Sequence, residues 1–302
     1  MSIALFERVS LVTVQRILTA GLPGERIQAA DDVDDPASVD IAVVGAPTRG
    51  ALARLSNLRL IVSLWAGVDH LVADPTRPKD AIITRLVDEN LTATMVEAAL
   101  AHVLAAHRQH DVYRRAQTER TWSPQAQSYA PARTVGVLGL GTLGKAVAQA
   151  IARVGFRVIA WNRSPRDVEG ITVRSGAEGL PDVLRAADIL VNLLALTPET
   201  LGILRKETLS LLPQGAVVIN LARGAHLVEA DLFELLDRGH LRHAVLDVHA
   251  TEPLPLEHPA WRHPRIDIFP HVAAQTDPES AAHRAVETIL AFRASLPLPN
   301  AL

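Results

Sequence analysis

T-V-G-V-L-G-L-G-T-L-G-K-A-V-A-Q-A-I-A-R-V-G-F-R-V-I-A-W-N-R-S, residues Thr134 to Ser164, reads as a strand, a tight turn, a helix and a second strand. The apolar run Val135, Val137, Leu138 feeds the glycines Gly139, Gly141 and Gly144. Apolar residues then recur at helical spacing (Leu143, Val147, Ile151, Val154), and Phe156, Val158, Ile159 and Ala160 close the unit. Within such a β-α-β context, G-x-G-x-x-G points to dinucleotide binding; the same glycines in an isolated loop would not. Gly139 permits the sharp turn, Gly141 lets the backbone approach a pyrophosphate, and Gly144 lets helix and sheet pack closely. The N–H groups and positive dipole end at the start of the helix then favour an anion.

The turn after the second strand selects the dinucleotide. A preference for NAD normally places Asp or Glu there, to accept hydrogen bonds from the ribose 2′-hydroxyl. This chain instead reads Trp161, Asn162, Arg163, Ser164, Pro165, Arg166, with no acid until Asp167. A carboxylate would repel a 2′-phosphate, whereas a guanidinium pairs with one bidentately. The expectation is NADPH (NADP+), with NADH held more weakly.

Outward from this unit, 302 residues are enough for two domains of ordinary size. Hydrophobic residues at 48% and charged residues at 21% describe a globular chain. A formal net charge of −3 gives no reason to expect a nucleic-acid or anionic-membrane partner. The absence of cysteine removes disulfides, thiolate catalysis and Cys-based zinc sites. The first ten residues lack a basic region followed by a long apolar core, and no apolar run approaches the ~20 residues of a membrane span. A soluble, cytoplasmic protein is expected.

The first hundred residues alternate strand and helix signals. Strands are predicted at Ile3–Phe6, Asp40–Val44, Leu58–Leu64 and Ile82–Val87, with helices at Val12–Ala20 and through Leu52 and Leu55. One long helix is predicted from Leu91 to about Arg115, followed by a polar surface arm from Glu119 to Arg133. Beyond the glycine unit come the strands Asp188–Leu194, Ala216–Leu221, Ala244–Val248 and Ile266–Phe269. Helices are predicted at Leu180–Ala187, through Leu209, at Glu229–Asp237, and at Asp277–Phe292 with Asp277 as N-cap and Pro278 at the first helical position. Alternation of this kind predicts an α/β fold of doubly wound parallel sheets.

Three strand ends of the second half carry polar residues. Arg223 follows one in I-N-L-A-R-G, Glu252 another in L-D-V-H-A-T-E-P-L-P, and His271 a third in I-F-P-H-V-A-A. Ligands in open parallel sheets sit at the carboxyl ends of the strands. A base, an acid and a histidine at successive strand ends form the set that a carbonyl reduction requires. Together with V-G-V-L-G-L-G-T-L-G, L-T-P-E-T-L-G-I-L and S-L-W-A-G-V-D-H-L, these motifs span roughly residues 58–275. In their order and spacing they resemble the D-2-hydroxyacid dehydrogenase family, in its glyoxylate/hydroxypyruvate reductase A branch.

That resemblance implies two Rossmann-like domains with the active site between them. Residues 1–98 and 275–302 would form a flavodoxin-like substrate domain and residues 99–274 the dinucleotide-binding domain. It implies a homodimer gripping through the arm, and a 2-oxo acid such as glyoxylate or hydroxypyruvate as the small-molecule substrate. His271 would protonate the carbonyl oxygen, with Glu252 favouring the charged imidazole. Arg223 would bind the substrate carboxylate and polarise the keto oxygen. Backbone N–H groups of Ala66 and Gly67, beside Trp65, would take the other carboxylate oxygens. Backbone at Thr142 and Leu143 would meet the pyrophosphate. Asn162, Arg163, Ser164 and Arg166 would surround the adenosine end, and Leu194, Ala195, Leu221 and Ala222 would line the cofactor. Asp247 would accept from the nicotinamide carboxamide.

Two positions depart from the family pattern. Relatives often have Gly at Trp65, so the indole either narrows the pocket toward short 2-oxo acids or packs into the domain core. His249, where relatives often carry an aromatic, is a rival acid three residues before Glu252. The pairs His107/His110 and His240/His243 lack carboxylate or cysteine companions at ligand spacing, so no metal is expected. Two other functions share this scaffold. One is a nucleotide-sensing binding protein of the corepressor kind, against which short termini without an interaction tail argue. The other is a dehydrogenase for formate or phosphite; formate enzymes resemble one another in having Gln where Glu252 stands.

Overall fold

The computed structural model describes residues 2–7, 10–298 and 300–302. The chain divides into two compact units, Met1–Leu91 with Gln275–Leu302, and Thr92–Ala274. In the first unit, β1 (Ser2–Phe6), α1 (Leu11–Gly21), β2 (Arg26–Ala29), β3 (Val39–Val44), β4 (Leu60–Ser63), α2 (Asp69–Val72) and β5 (Ile82–Thr84) follow in sequence. The strands form one parallel sheet in the order β2-β1-β3-β4-β5, the flavodoxin-like order. The strands β3 and β4 are buried along their whole length, as expected of strands covered on both faces. Leu52 and Leu55, expected on a helix, lie instead in consecutive turns, yet both side chains are fully buried. Their spacing reports burial of the segment, not its helicity.

The chain enters the second unit through α3 (Glu89–His107). The single long helix expected here is broken: Gln109 adopts a left-handed φ of 59°, and α4 (His110–Thr118) starts afresh. Buried anchors on each side of the break explain it. The His107 ring packs edge-on against Phe156 at 4.9 Å, while Asp111 pairs with Arg242 at 3.3 Å. After an exposed arm come β6 (Thr134–Leu138), α5 (Thr142–Val154), β7 (Arg157–Asn162), β8 (Thr172–Ser175), α6 (Gly176–Ala186) and β9 (Ile189–Asn192). The unit continues with α7 (Lys206–Leu209), β10 (Ala216–Asn220), α8 (Glu229–Asp237), β11 (Leu241–Leu246) and β12 (Ile266–Ile268). Its sheet runs β12-β11-β10-β9-β6-β7-β8, all parallel, and the strand order reverses between β6 and β9. This is the doubly wound dinucleotide-binding topology. One apolar layer, with Val135, Val137, Val147, Ile151 and Val191, covers one face of the sheet. Another, with Leu138, Leu184, Leu190, Val218 and Leu236, covers the other.

The last helix, α9 (Pro278–Arg293), returns to the first unit, capped by Asp277 with Pro278 at its first position as predicted. Its end is tied to the sheet by Arg293, which donates to Glu25 at 2.6 Å and 3.0 Å and to the buried Asp40 at 3.0 Å. Removing the guanidinium would leave a buried carboxylate without its counter-charge. Arg293→Met is therefore expected to destabilise the first unit by about 3 kcal/mol, read as an earlier urea midpoint. An unchanged midpoint would show that water replaces the guanidinium at no cost.

Candidate active site

The glycine turn is built by close backbone contacts. Gly139, at φ +93°, donates its N–H to Trp161 O at 2.8 Å, and a Cβ there would lie 2.8 Å from Leu193 O. A Cβ at Gly144 would fall 1.9 Å from Gly139 O, so only hydrogen fits between helix and turn. Gly141 differs: a Cβ would meet nothing within 4 Å, and as N-cap of α5 it offers no side-chain acceptor to the helix. Thr142 is exposed and Leu143 half-buried beside it. An open helix start with uncapped N–H groups fits a pyrophosphate.

At the end of β7, where an acid would mark NAD, Asn162 knits the wall together. Its Oδ1 accepts from Leu140 N at 3.2 Å, and its Nδ2 donates to Ser164 O at 2.8 Å. Arg163, Ser164 and Arg166 are exposed on the loop that comes next. On the other side of β6, Leu194 N–H donates to Asn192 Oδ1 at 3.3 Å, and Ala195 O accepts from Thr200 at 2.8 Å. Leu221 and Ala222 are buried just beyond β10.

Arg223, Glu252 and His271 lie just beyond the adjacent strands β10, β11 and β12. Arg223 is half-buried, with Nη1 donating to Ala222 O at 2.7 Å. Glu252 Oε2 lies 2.8 Å from His271 Nδ1, while its Oε1 accepts from His249 N–H at 2.9 Å. Burial pushes the Glu252 carboxyl up, but the hydrogen bonds from His249 and His271 together outweigh it and hold it below the usual range. Asp247 is 1% exposed: its main-chain O accepts from His271 N–H at 2.8 Å, and its two carboxylate oxygens accept from Val272 N–H at 2.8 Å and Ala273 N–H at 2.9 Å. This fixes His271 in a left-handed turn at φ 56°. His249, the rival imidazole, is 8% exposed, and burial pushes it toward the neutral form.

Trp65, Ala66 and Gly67 lie at the carboxyl end of β4 in the first unit. Trp65 is 40% exposed, its ring edge-on to His70 at 5.7 Å, so the indole is not packed into the core. Among the described residues no group of His, Cys, Asp and Glu is placed to hold a metal ion, and no helix is long and apolar enough to cross a membrane.

Two features went unread in the sequence. Asn192 Nδ2 bonds both Asn220 Oδ1 at 2.9 Å and His226 Nδ1 at 3.0 Å, and Asn220 Nδ2 donates to Arg223 O at 3.1 Å. This fully buried network fixes the Arg223 backbone; asparagines closing apolar strands in V-N-L-L and I-N-L-A-R-G were its signal. A Cβ at Gly224 would lie 1.9 Å from His249 C and 2.3 Å from Ala250 N, so the Arg223 loop rests directly on the segment leading to Glu252.

Residues 100–273 match the family described as D-isomer specific 2-hydroxyacid dehydrogenase, NAD binding domain. The chain belongs to the D-isomer specific 2-hydroxyacid dehydrogenase family. This family member is 41% identical to a glyoxylate/hydroxypyruvate reductase A of Serratia proteamaculans (strain 568), over 92% of its own length and 90% of the relative's. A D-isomer specific 2-hydroxyacid dehydrogenase of Xanthobacter autotrophicus Py2, solved with NADPH and MES, superposes with a TM-score of 0.94 at 39% identity, covering 100% of this chain and 97% of that one. The NADPH-dependent glyoxylate/hydroxypyruvate reductase of Sinorhizobium meliloti, solved with NADP and sulfate, gives a TM-score of 0.92 at 34% identity, covering 100% and 98%.

Because Gly224 sets the spacing of the two loops, Gly224→Ala is expected to lower kcat by on the order of 10²-fold in a variant with an unchanged circular dichroism spectrum. Wild-type kcat would show that the loops separate harmlessly. The pH dependence of Glu252 has a definite sign. Since its folded-state pKa is depressed, its contribution to stability is present at neutral pH and lost as pH falls below the usual carboxylate range. The gap in Tm between wild type and Glu252→Gln should therefore hold at neutral pH and narrow from about pH 5 to about pH 3, as the pH passes below the ordinary carboxyl value. A gap that widened would contradict the pairing.

Proposed function

We propose that the chain reduces short 2-oxo acids, glyoxylate and hydroxypyruvate, to glycolate and D-glycerate, with NADPH as reductant. The observation that carries this reading is the His271–Glu252 hydrogen bond, 2.8 Å long, one strand away from Arg223 in the sheet of the glycine turn. The related reductases of Serratia and Sinorhizobium support the substrate class.

Residues Gly139, Gly141, Thr142, Leu143 and Gly144 hold the pyrophosphate on backbone N–H groups. Asn162, Arg163, Ser164 and Arg166 hold the adenosine end, with Arg163 and Arg166 available to the 2′-phosphate. Leu194, Ala195, Leu221 and Ala222 line the cofactor. When bound, the reduced nicotinamide supplies the hydride that the carbonyl carbon accepts. Arg223 binds the substrate carboxylate and polarises the keto oxygen.

His271 carries the proton. With Nδ1–H donated to Glu252, the second proton sits on Nε2, where it is passed to the developing alkoxide. The imidazole is left neutral, Nδ1–H still bonded to Glu252, and Nε2 recovers its proton from water. Asp247 keeps His271 in place; each of its oxygens uses one lone pair on backbone N–H and retains another for the nicotinamide carboxamide. His249 orients Glu252 through its backbone and takes no part as an acid.

The arm from residue 119 to 133 is read as the grip of a homodimer, because Trp122 at its start is 97% exposed. A chain without cysteine suits the reducing cytoplasm. The test of the activity is NADPH oxidation by purified protein with glyoxylate, hydroxypyruvate and larger 2-oxo acids. Turnover is expected with the two short acids, and His271→Ala should lower kcat by roughly 10²–10⁴-fold while sparing NADPH binding. No oxidation with any short 2-oxo acid would overturn the proposal.

A further inference from the structure

The crevice beside the glycine turn is bridged from both walls. The strands β7 and β9 are the two hydrogen-bonded neighbours of β6, so the loops that leave them face each other across the carboxyl end of β6. Arg163 comes from one loop and Glu199 from the other. Their Nη1 and Oε2 stand 3.7 Å apart, with side chains 73% and 63% exposed.

Both loops are firmly built. Asn162 fastens the Arg163 loop to the glycine turn through Leu140 N–H and Ser164 O. Arg163 O accepts in turn from Gly176 N–H at 3.2 Å. On the other wall, Thr197 N–H donates to Thr200 Oγ1 at 2.8 Å, and Leu201 N–H to Thr197 O at 3.0 Å, closing the turn that carries Glu199. Hydrogen bonds from Thr197 and from its own backbone N–H, with Arg163 nearby, hold the Glu199 carboxyl below its usual range, so it is charged at neutral pH.

We propose that Glu199 is a specificity-determining residue: its carboxylate competes with the 2′-phosphate of NADPH for Arg163, and the bridge across the crevice opens as the phosphate engages. This rests on reading Arg163 as the partner of that phosphate. An exposed ion pair at this distance is weak, whereas a phosphate accepts both prongs of a guanidinium, so the phosphate wins the exchange. The competition falls on NADPH alone, because the ribose hydroxyl of NADH has no charge with which to claim Arg163. Glu199 thus trims the preference for NADPH and weakens the grip that product release must break.

Titration calorimetry on the full-length protein, with adenosine 2′,5′-bisphosphate and 5′-ADP as probes beside NADPH and NADH, tests this. Glu199→Gln is expected to tighten NADPH and the bisphosphate about 2–5-fold, the range of an exposed pair, and to leave NADH and 5′-ADP unchanged. The gain should shrink at high salt and vanish in an Arg163→Gln background. Unchanged or weaker NADPH binding in Glu199→Gln, or equal tightening of both cofactors, would overturn the proposal. If Arg163→Gln still lost its preference for NADPH, the phosphate assignment itself would survive that result. An Arg163→Gln variant that discriminated as the wild type does would overturn both.

Discussion

The second unit hangs on the way Asp247 gathers the backbone after β12. Three successive N–H groups, from His271, Val272 and Ala273, end on its main-chain oxygen and its two carboxylate oxygens. A left-handed turn at a residue other than glycine is strained and persists only where its surroundings over-determine it. A buried carboxylate facing consecutive N–H donors supplies that determination, in the manner of an anion nest. Its own amide donates to Asn220 O at 3.1 Å, so the loop after β12 is registered against the end of β10 as well. The aim of His271 at Glu252 results from this clamp.

Around it, backbone meets backbone where side chains are excluded. Gly144 lies on Gly139, Gly139 on Leu193, and Gly224 on His249 and Ala250. Each contact joins the loop after one strand to a neighbouring loop or helix, and together they bring β6, β9, β10 and β11 to a common rim. Asn192 and Asn220 complete the rim from beneath with hydrogen bonds in place of packing. A fully buried amide network is favourable only when its members are satisfied, and in return it leaves those loops a single arrangement.

Much of this was legible in the sequence, for identifiable reasons. The strands β3, β4, β9 and β10 are apolar runs, and such runs announce buried parallel strands. The helix start at Asp277-Pro278 carries its own capping chemistry. The edge strands β2 and β8 were not legible, since half-exposed edges carry no apolar run. Nor was the break at Gln109, which depends on what His107 and Asp111 meet elsewhere in the fold. At the candidate site, residue types at strand ends gave Arg223, Glu252 and His271. The anchoring of Asp247 to backbone, the demotion of His249 by burial, and the meeting of Arg163 with Glu199 all depend on partners distant in the chain.

The two sheets also explain why one unit suits a dinucleotide and the other does not. Both are doubly wound, and each has a crevice where its strand order reverses, between β1 and β3 in one and between β6 and β9 in the other. In the first unit that crevice is filled from within: a Cβ on Gly45, after β3, would lie 2.0 Å from the carboxylate of Glu7, the residue just past β1. The Glu7 side chain occupies the space that a phosphate would need against the backbone. In the second unit the same place is ringed by glycines, and nothing stands within 4 Å of a Cβ built on Gly141. One architecture thus yields a filled crevice or an open one from a single choice at the end of the first strand, a long side chain in one case and a glycine turn in the other.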